Sequence, residues 1–158
     1  MEELLLNEKL VITLPDGLKV MSDEETANLN FYKDRKGLCL NDPERHIMIT
    51  AGFKKLNGII NMLVSEKDLN MNSEAEISKA MEPYGYHLMD LGSRTIAGSK
   101  AESYSYVYNS EGTDMFGESY VFRKGKDAYY LNLYTRAENK EENLAYWNAF
   151  LDDLKWKD

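Results

Sequence analysis

From Tyr86 to Arg136 the chain alternates with period two through four successive stretches, and eight of its eleven tyrosines fall there. Tyr104, Tyr106 and Tyr108 share one face of a strand, with Ser103, Ser105 and Val107 opposite. Phe116, Tyr120 and Phe122 share a face of the next, against Met115, Gly117, Ser119 and Val121. Tyr130 and Tyr134 alternate with Tyr129, Leu131 and Leu133 in the last. Aromatic and β-branched residues at this period are a strand signal. A preceding strand, about Tyr86 to Ile96, ends at Ala97-Gly98-Ser99. Asn109 to Asp114 and Lys124 to Asp127 separate the other strands, each with a glycine able to take the positive φ of a tight turn. Links this short make neighbours antiparallel, because a parallel pair needs a crossover of about a dozen residues.

Both faces of these strands carry large side chains. A sheet with one wet face shows polar residues on it. The pattern therefore implies cover on both sides, or cover on one side and an aromatic platform on the other. As packing residues the tyrosines send their hydroxyls to the surface or to polar partners. As a binding surface they match the enrichment of tyrosine at interfaces. Packing weighs more, because aromatics serve it more often.

At 158 residues the chain is most simply one domain, 1–158. A chain this long buries roughly 70 % of its unfolded surface and needs no disulfide or metal to be stable. Its 43 % hydrophobic and 29 % charged residues are ordinary globular values and exclude a disordered chain. The net charge of −8 repels phosphate backbones, which argues against nucleic acid as a partner. The densest basic group, Lys33, Asp34, Arg35 and Lys36, carries its own carboxylate. Cys39 is the one cysteine, so no intramolecular disulfide forms. No apolar stretch reaches the ~18 residues of a membrane span. The start, Met1 to Asn7, is acidic, whereas a signal peptide has a basic start and about 7–15 apolar residues. A cytoplasmic location is expected of the chain as given, and an exported chain already trimmed would read the same way.

Elsewhere, Leu10, Ile12 and Leu14 mark a first strand that turns at Pro15-Asp16-Gly17, with Leu18 and Val20 on a short return strand. Ser22-x-x-Glu25 is a capping box for a short helix, which Asn28 and Asn30 soon weaken. Phe31-Tyr32 and Leu38-Cys39-Leu40 read as a hairpin. Asn41 to Glu44 reads as a turn, and His46 to Phe53 as a strand with Ile47 and Ile49 on one face. Leu56, Ile59, Ile60, Leu63 and Val64 lie on one face of a helix. Ser73-x-x-Glu76 reads as a second capping box, ahead of Ile77, Ala80, Met81 and Tyr84, with Gly85 as the helix-ending glycine. Glu138 to about Asp153 is the strongest helix, with Leu144, Trp147, Phe150, Leu151 and Leu154 to bury, and Trp156 reads as a last short strand.

The tests for chemistry fail in turn. The chain has no phosphate-binding glycine loop, no H-E-x-x-H, no C-x-x-C and no G-x-S-x-G. Asp68-x-Asn70-x-Asn72 starts like a calcium loop, but Ser73 stands where glycine is needed and Lys79 where a bidentate glutamate is needed. It reads as a polar loop before a capped helix. Cys39 and His46 bracket a turn and could meet as nucleophile and base. Flanked by Leu38 and Leu40, Cys39 reads instead as a small buried hydrophobe. The eight methionines are scattered, which favours gap-filling over a methionine-rich groove. No catalytic residue, metal ligand or cofactor is expected.

Several stretches carry a family likeness. Leu10-Val11-Ile12-Thr13-Leu14-Pro15-Asp16-Gly17 resembles the first strand and Pro-x-Gly turn of the PsbP-like superfamily. That group spans a photosystem accessory subunit, a Ran-binding import factor and bacterial relatives of the DcrB kind. Leu18 departs from the aromatic that often follows the glycine there. Ile96 to Ala101 resembles the family's glycine-led central strand, Ala128 to Tyr134 its penultimate strand, and Leu154-Lys155-Trp156 its closing helix and aromatic strand. Residues 31–72 match poorly. The resemblance implies an α+β fold, an α/β/α sandwich around a mainly antiparallel sheet, and a largely non-catalytic accessory role. No motif licenses transfer of a manganese site or a Ran-binding surface, and fold alone does not fix function.

The reading is a non-enzymatic binding or accessory module that recognises a protein segment. Its contacts are expected among whichever of Tyr104, Tyr106, Tyr108, Tyr120, Tyr130 and Tyr134 stand exposed. The alternatives are a small-molecule binder or hydrolase with its site between sheet and helices, and self-association through an exposed strand edge.

Overall fold

The computed structural model describes residues 2–26 and 36–158. In chain order the elements are β1 (Glu2–Leu6), β2 (Leu10–Leu14), β3 (Lys19–Val20), α1 (Asp23–Thr26), β4 (Lys36–Asp42), β5 (Ile47–Lys55), α2 (Gly58–Leu63) and α3 (Glu66–Ala80). There follow the meander strands β6 (His87–Ile96), β7 (Ser99–Ser110), β8 (Thr113–Lys124) and β9 (Asp127–Arg136), then α4 (Lys140–Asp152) and β10 (Lys155–Trp156).

The four meander strands form as the alternation requires, each antiparallel to the next. β9 then pairs with β5, giving a seven-stranded sheet in the order β3-β4-β5-β9-β8-β7-β6. A small second sheet sets β1 and β10 on either side of β2. That sheet and α4 cover one face of the large sheet. Leu10, Ile12, Trp147, Phe150 and Leu151 pack there against Ile49, Phe116, Phe122, Leu131 and Leu133. α3 covers part of the other face, where Ile77 and Met81 meet Tyr104, Tyr106 and Tyr134, and Leu69 meets Val121 and Ala128. The result is an α+β fold, an α/β/α sandwich around a mainly antiparallel sheet. Full burial of each large apolar side chain contributes about 1.5–3 kcal/mol, so both layers matter to stability.

Several elements depart from the sequence reading. β1 is unexpected, because the turn into β2 contains no glycine or proline. Asn7 and Glu8 take positive φ of 56° and 59° instead. β3 pairs with β4 and not with β2, so the chain changes sheets at the Pro15–Gly17 turn. Leu38 to Leu40 lie in β4, whereas Phe31-Tyr32, the other arm of the expected hairpin, lies outside the described residues. His46 sits in the turn before β5, with φ 55°. Glu138 lies in a 3₁₀ turn, Ala137–Asn139, ahead of α4.

The largest departure is between residues 56 and 80. One amphipathic helix and a capped second one are expected. Instead α2 stops at Leu63, and the extended residues Val64 and Ser65 separate it from α3. The capping box that starts α3 is Ser65–Asp68: the Asp68 N–H donates to Ser65 Oγ at 3.2 Å, and the Ser65 N–H to Asp68 Oδ2 at 2.8 Å. Ser73 therefore lies mid-helix and turns to the sheet, where its Oγ is 3.0 Å from the Tyr104 hydroxyl. Asp68, Asn70 and Asn72 are helical, not a loop, and buried Asn70 donates to the Ser103 carbonyl at 3.0 Å. The Ser22–Glu25 box does form, starting the four-residue α1. Gly85, with φ 72°, closes a 3₁₀ turn at Glu82–Tyr84 that follows α3.

Candidate functional site

Strand alternation and the cover of α3 decide where the tyrosines stand. Tyr104, Tyr106 and Tyr108 point to the α3 side and form a ring ladder, with centroids 5.8 Å and 5.7 Å apart. Tyr86 adds a fourth ring 5.1 Å from Tyr106. Gly117 is directly opposite both Tyr106 and Tyr134. A Cβ at Gly117 would lie 2.4 Å from Tyr106 Cζ, so the Tyr106 ring occupies that space. Tyr104, Tyr106 and Tyr134 are buried under α3. Tyr120 is buried on the opposite face, 6.4 Å from the Trp147 ring. Only Tyr108 and Tyr130 of the six are half-buried, and Tyr130 packs beside Val121 and Leu69. Four of the six are core side chains, and among the described residues no continuous platform of exposed tyrosines is present. Burial pushes the Tyr108 hydroxyl up to about 12 and the Tyr106 hydroxyl well above its ordinary range.

Tyr108 instead forms part of a groove. Where β5 and β8 begin and β7 and β9 end, α3 and the Glu82–Tyr84 turn stop short of the sheet end. The space left is about 740 Å³. Met48 from β5, Met81 after α3 and Met115 from β8 line it together with Tyr108 and Tyr134. Pro43, Pro83 and exposed Tyr84 lie along it, and His46 and Arg136 supply charge or hydrogen bonds. The pairing explains this convergence: Met115 is opposite Tyr108 and Arg136, and Met48 is opposite Tyr134. Three of the eight scattered methionines thus converge on one groove. Met115 was within reach of sequence reasoning, because the Asn109–Asp114 turn sets it across from Tyr108. Met48 was not, because the β5–β9 pairing sets it opposite Tyr134, 86 residues further on, with no local signal.

The other sequence candidates stay apart. Cys39 is opposite Thr50 in the β4–β5 ladder, whereas His46 lies beyond the start of β5, in the turn four residues before Thr50. The Cys39 sulfur instead contacts Met21 Sδ at 3.3 Å. Burial pushes its thiol up to about 11, which keeps it from acting as a thiolate near neutral pH. Glu118, half-buried beside α4, accepts from Trp147 Nε1 at 3.1 Å, and burial raises its carboxyl above the ordinary range. Among the described residues no group of three or more His, Cys, Asp and Glu side chains is placed to hold a metal ion. No helix among them is long and apolar enough to cross a membrane.

No protein-family profile matches the sequence. No curated protein matches it either. Solved structures do. Cyanobacterial PsbP (CyanoP) from Synechocystis sp. PCC 6803 superposes with a TM-score of 0.70 over 94 % of this chain and 86 % of its own, at 10 % identity. LpqN of Mycobacterium tuberculosis, described as involved in cell envelope biogenesis, gives 0.61 over 94 % and 83 %, at 12 % identity. The Ran-binding protein Mog1p of Saccharomyces cerevisiae gives 0.54 over 92 % and 82 %, at 10 % identity. The class is therefore defined by architecture: the chain has the PsbP-like fold that the strand, turn and closing-helix motifs suggest.

Proposed function

We propose that this chain is a one-domain, non-enzymatic binding module whose methionine–tyrosine groove takes an apolar protein segment. The groove carries the proposal. Methionine side chains are unbranched and polarizable and adapt to varied partners. Tyrosine offers a rigid contact with a polar tip. A structurally similar protein is itself described as Ran-binding, which supports a protein as the class of partner. The cytoplasmic location belongs to this proposal.

The test is selection of peptides from a random displayed library on the full chain. Selected peptides lose about tenfold or more in affinity when Tyr108→Ala or Met115→Ser removes the groove wall, as loss of an interface anchor does. Peptides that bind both variants as tightly as the parent would sink the proposal. A volume of about 740 Å³ also lies within the ~300–1,000 Å³ of small-molecule sites. The second reading is therefore a small-molecule binder. It predicts a thermal shift with fragment compounds, lost in the same two variants.

A further inference from the structure

At the opposite end of the sheet from the groove, α2 displays its apolar side chains to solvent. Ile59 is 71 % exposed, Ile60 41 %, Met62 86 % and Leu63 75 %. Single exposed apolar residues are ordinary, but four within five positions form a patch that calls for an occupant. The helix is held in place. Asn57 caps it, accepting from the Ile60 N–H at 2.8 Å. Arg123 donates to the Asn61 carbonyl at 2.9 Å and pairs with Glu66 at 2.5 Å. The buried Leu56 anchors its start, with the Leu56 N–H donating to the Lys126 carbonyl at 2.7 Å.

The patch is set among cations. Lys54 and Lys55 end β5, and Lys124 and Lys126 flank the β8–β9 turn, all four exposed. Lys126 Nζ would stand 3.9 Å from a Cβ at Gly58. Of the carboxylates nearby, Glu66 pairs with Arg123, Asp127 with Lys9, and Asp68 caps α3, while Glu8 stays exposed beside Lys9. In a chain of net charge −8, these four exposed lysines concentrate positive charge around the patch.

We propose that this end docks on an anionic lipid surface. Ile59, Ile60, Met62 and Leu63 seat at the boundary of headgroups and acyl chains, and the lysines pair with lipid phosphates. A projecting apolar helix rimmed by lysines supplies the two signals that stable peripheral attachment needs, since either one alone is marginal. A protein partner would have to bring a hollow to fit the projection, whereas a bilayer deforms around it. β8 and β9 separate the two ends by roughly 30 Å at strand rise, so the groove stays open to a partner while α2 is seated.

The experiment is co-sedimentation of the full chain with vesicles of phosphatidylcholine alone, and of equal parts phosphatidylcholine and phosphatidylglycerol. Binding to the anionic vesicles is expected to be at least about tenfold tighter and to weaken with added salt. Lys54→Glu with Lys126→Glu, and separately Met62→Ser with Leu63→Ser, are each expected to abolish it. Because these side chains are exposed, circular dichroism should show both variants folded. A polarity-sensitive dye on Met62→Cys should shift to the blue on anionic vesicles, and buried Cys39 does not compete for the label. No binding to the anionic vesicles overturns the proposal, and so does equal binding to both compositions. Binding that survives both variant pairs overturns it as well. A patch that takes an acidic protein instead would leave the vesicles unbound. Peptide selection at the groove has its own variants, so either reading can fail alone.

Discussion

Tyr106 has room only because residue 117 is glycine. The two face each other across β7 and β8, and the ring lies where any larger side chain would begin. Gly117→Ala forces the ring off its rotamer or the strands apart, a kind of overpacking that costs about 1–3 kcal/mol. The expected outcome is a lower urea midpoint with an unchanged slope, and an unchanged midpoint would mean that the ladder repacks freely. Reading the tyrosines as mainly packing was open to the sequence, since both strand faces are bulky. Which of them reach the surface was not. Exposure depends on where α3 stops along the sheet, at Ala80 ahead of the Glu82–Tyr84 turn, and on which strands that end overlies.

The stretch from Leu56 to Ala80 shows why period alone misleads at the scale of an element. Leu56, Ile59, Ile60, Leu63 and Val64 do share a helical spacing, but spacing does not say whether a face meets the core or the solvent. Here Leu56 is buried and Ile59 and Leu63 are exposed. The sequence reading begins the following helix at Ser73, whereas Ser65 begins it. The two are thereby set different tasks, and truncation separates them. Ser65→Ala removes the acceptor of the Asp68 N–H at an exposed helix end and is expected to cost about 1 kcal/mol. Ser73→Ala removes a buried partner of the Tyr104 hydroxyl and is expected to cost about 1–3 kcal/mol. Hydrogen exchange tells them apart beyond magnitude. Ser65→Ala should loosen the first turn of α3 alone, whereas Ser73→Ala should lower protection in β7 as well. The same pattern in both variants would count against this division.

For the molecule as a whole, the meander and the closing helix were legible because their signals are local. Alternation, turn residues and the run from Leu144 to Leu154 each act within a few residues. The groove, the β2–β10 pairing and the placement of α2 depend on contacts between distant segments, and no short-range pattern reports those. The edges of the large sheet follow from the same topology. One edge is β3, only two residues long. The other is β6, ten residues long and exposed along most of its length, with Leu88, Met89 and Leu91 open to solvent. Such an edge is a template for another strand. β6 carries a device against this: its register to β7 shifts between Leu88 and Asp90, leaving Met89 as an extra, bulged residue. A bulge bends the strand and breaks the row of groups a second strand would pair with. The shift also sets Leu88 opposite Tyr106 and Leu91 opposite Tyr104, so the two leucines share one face although they are three residues apart. Deletion of Met89 keeps both on that face, two apart, and restores a continuous flat edge. The shortened chain is expected to keep its circular dichroism spectrum and to gain mass with concentration in light scattering. If its mass instead matches the parent at every concentration, the bulge is not what keeps the edge unpaired.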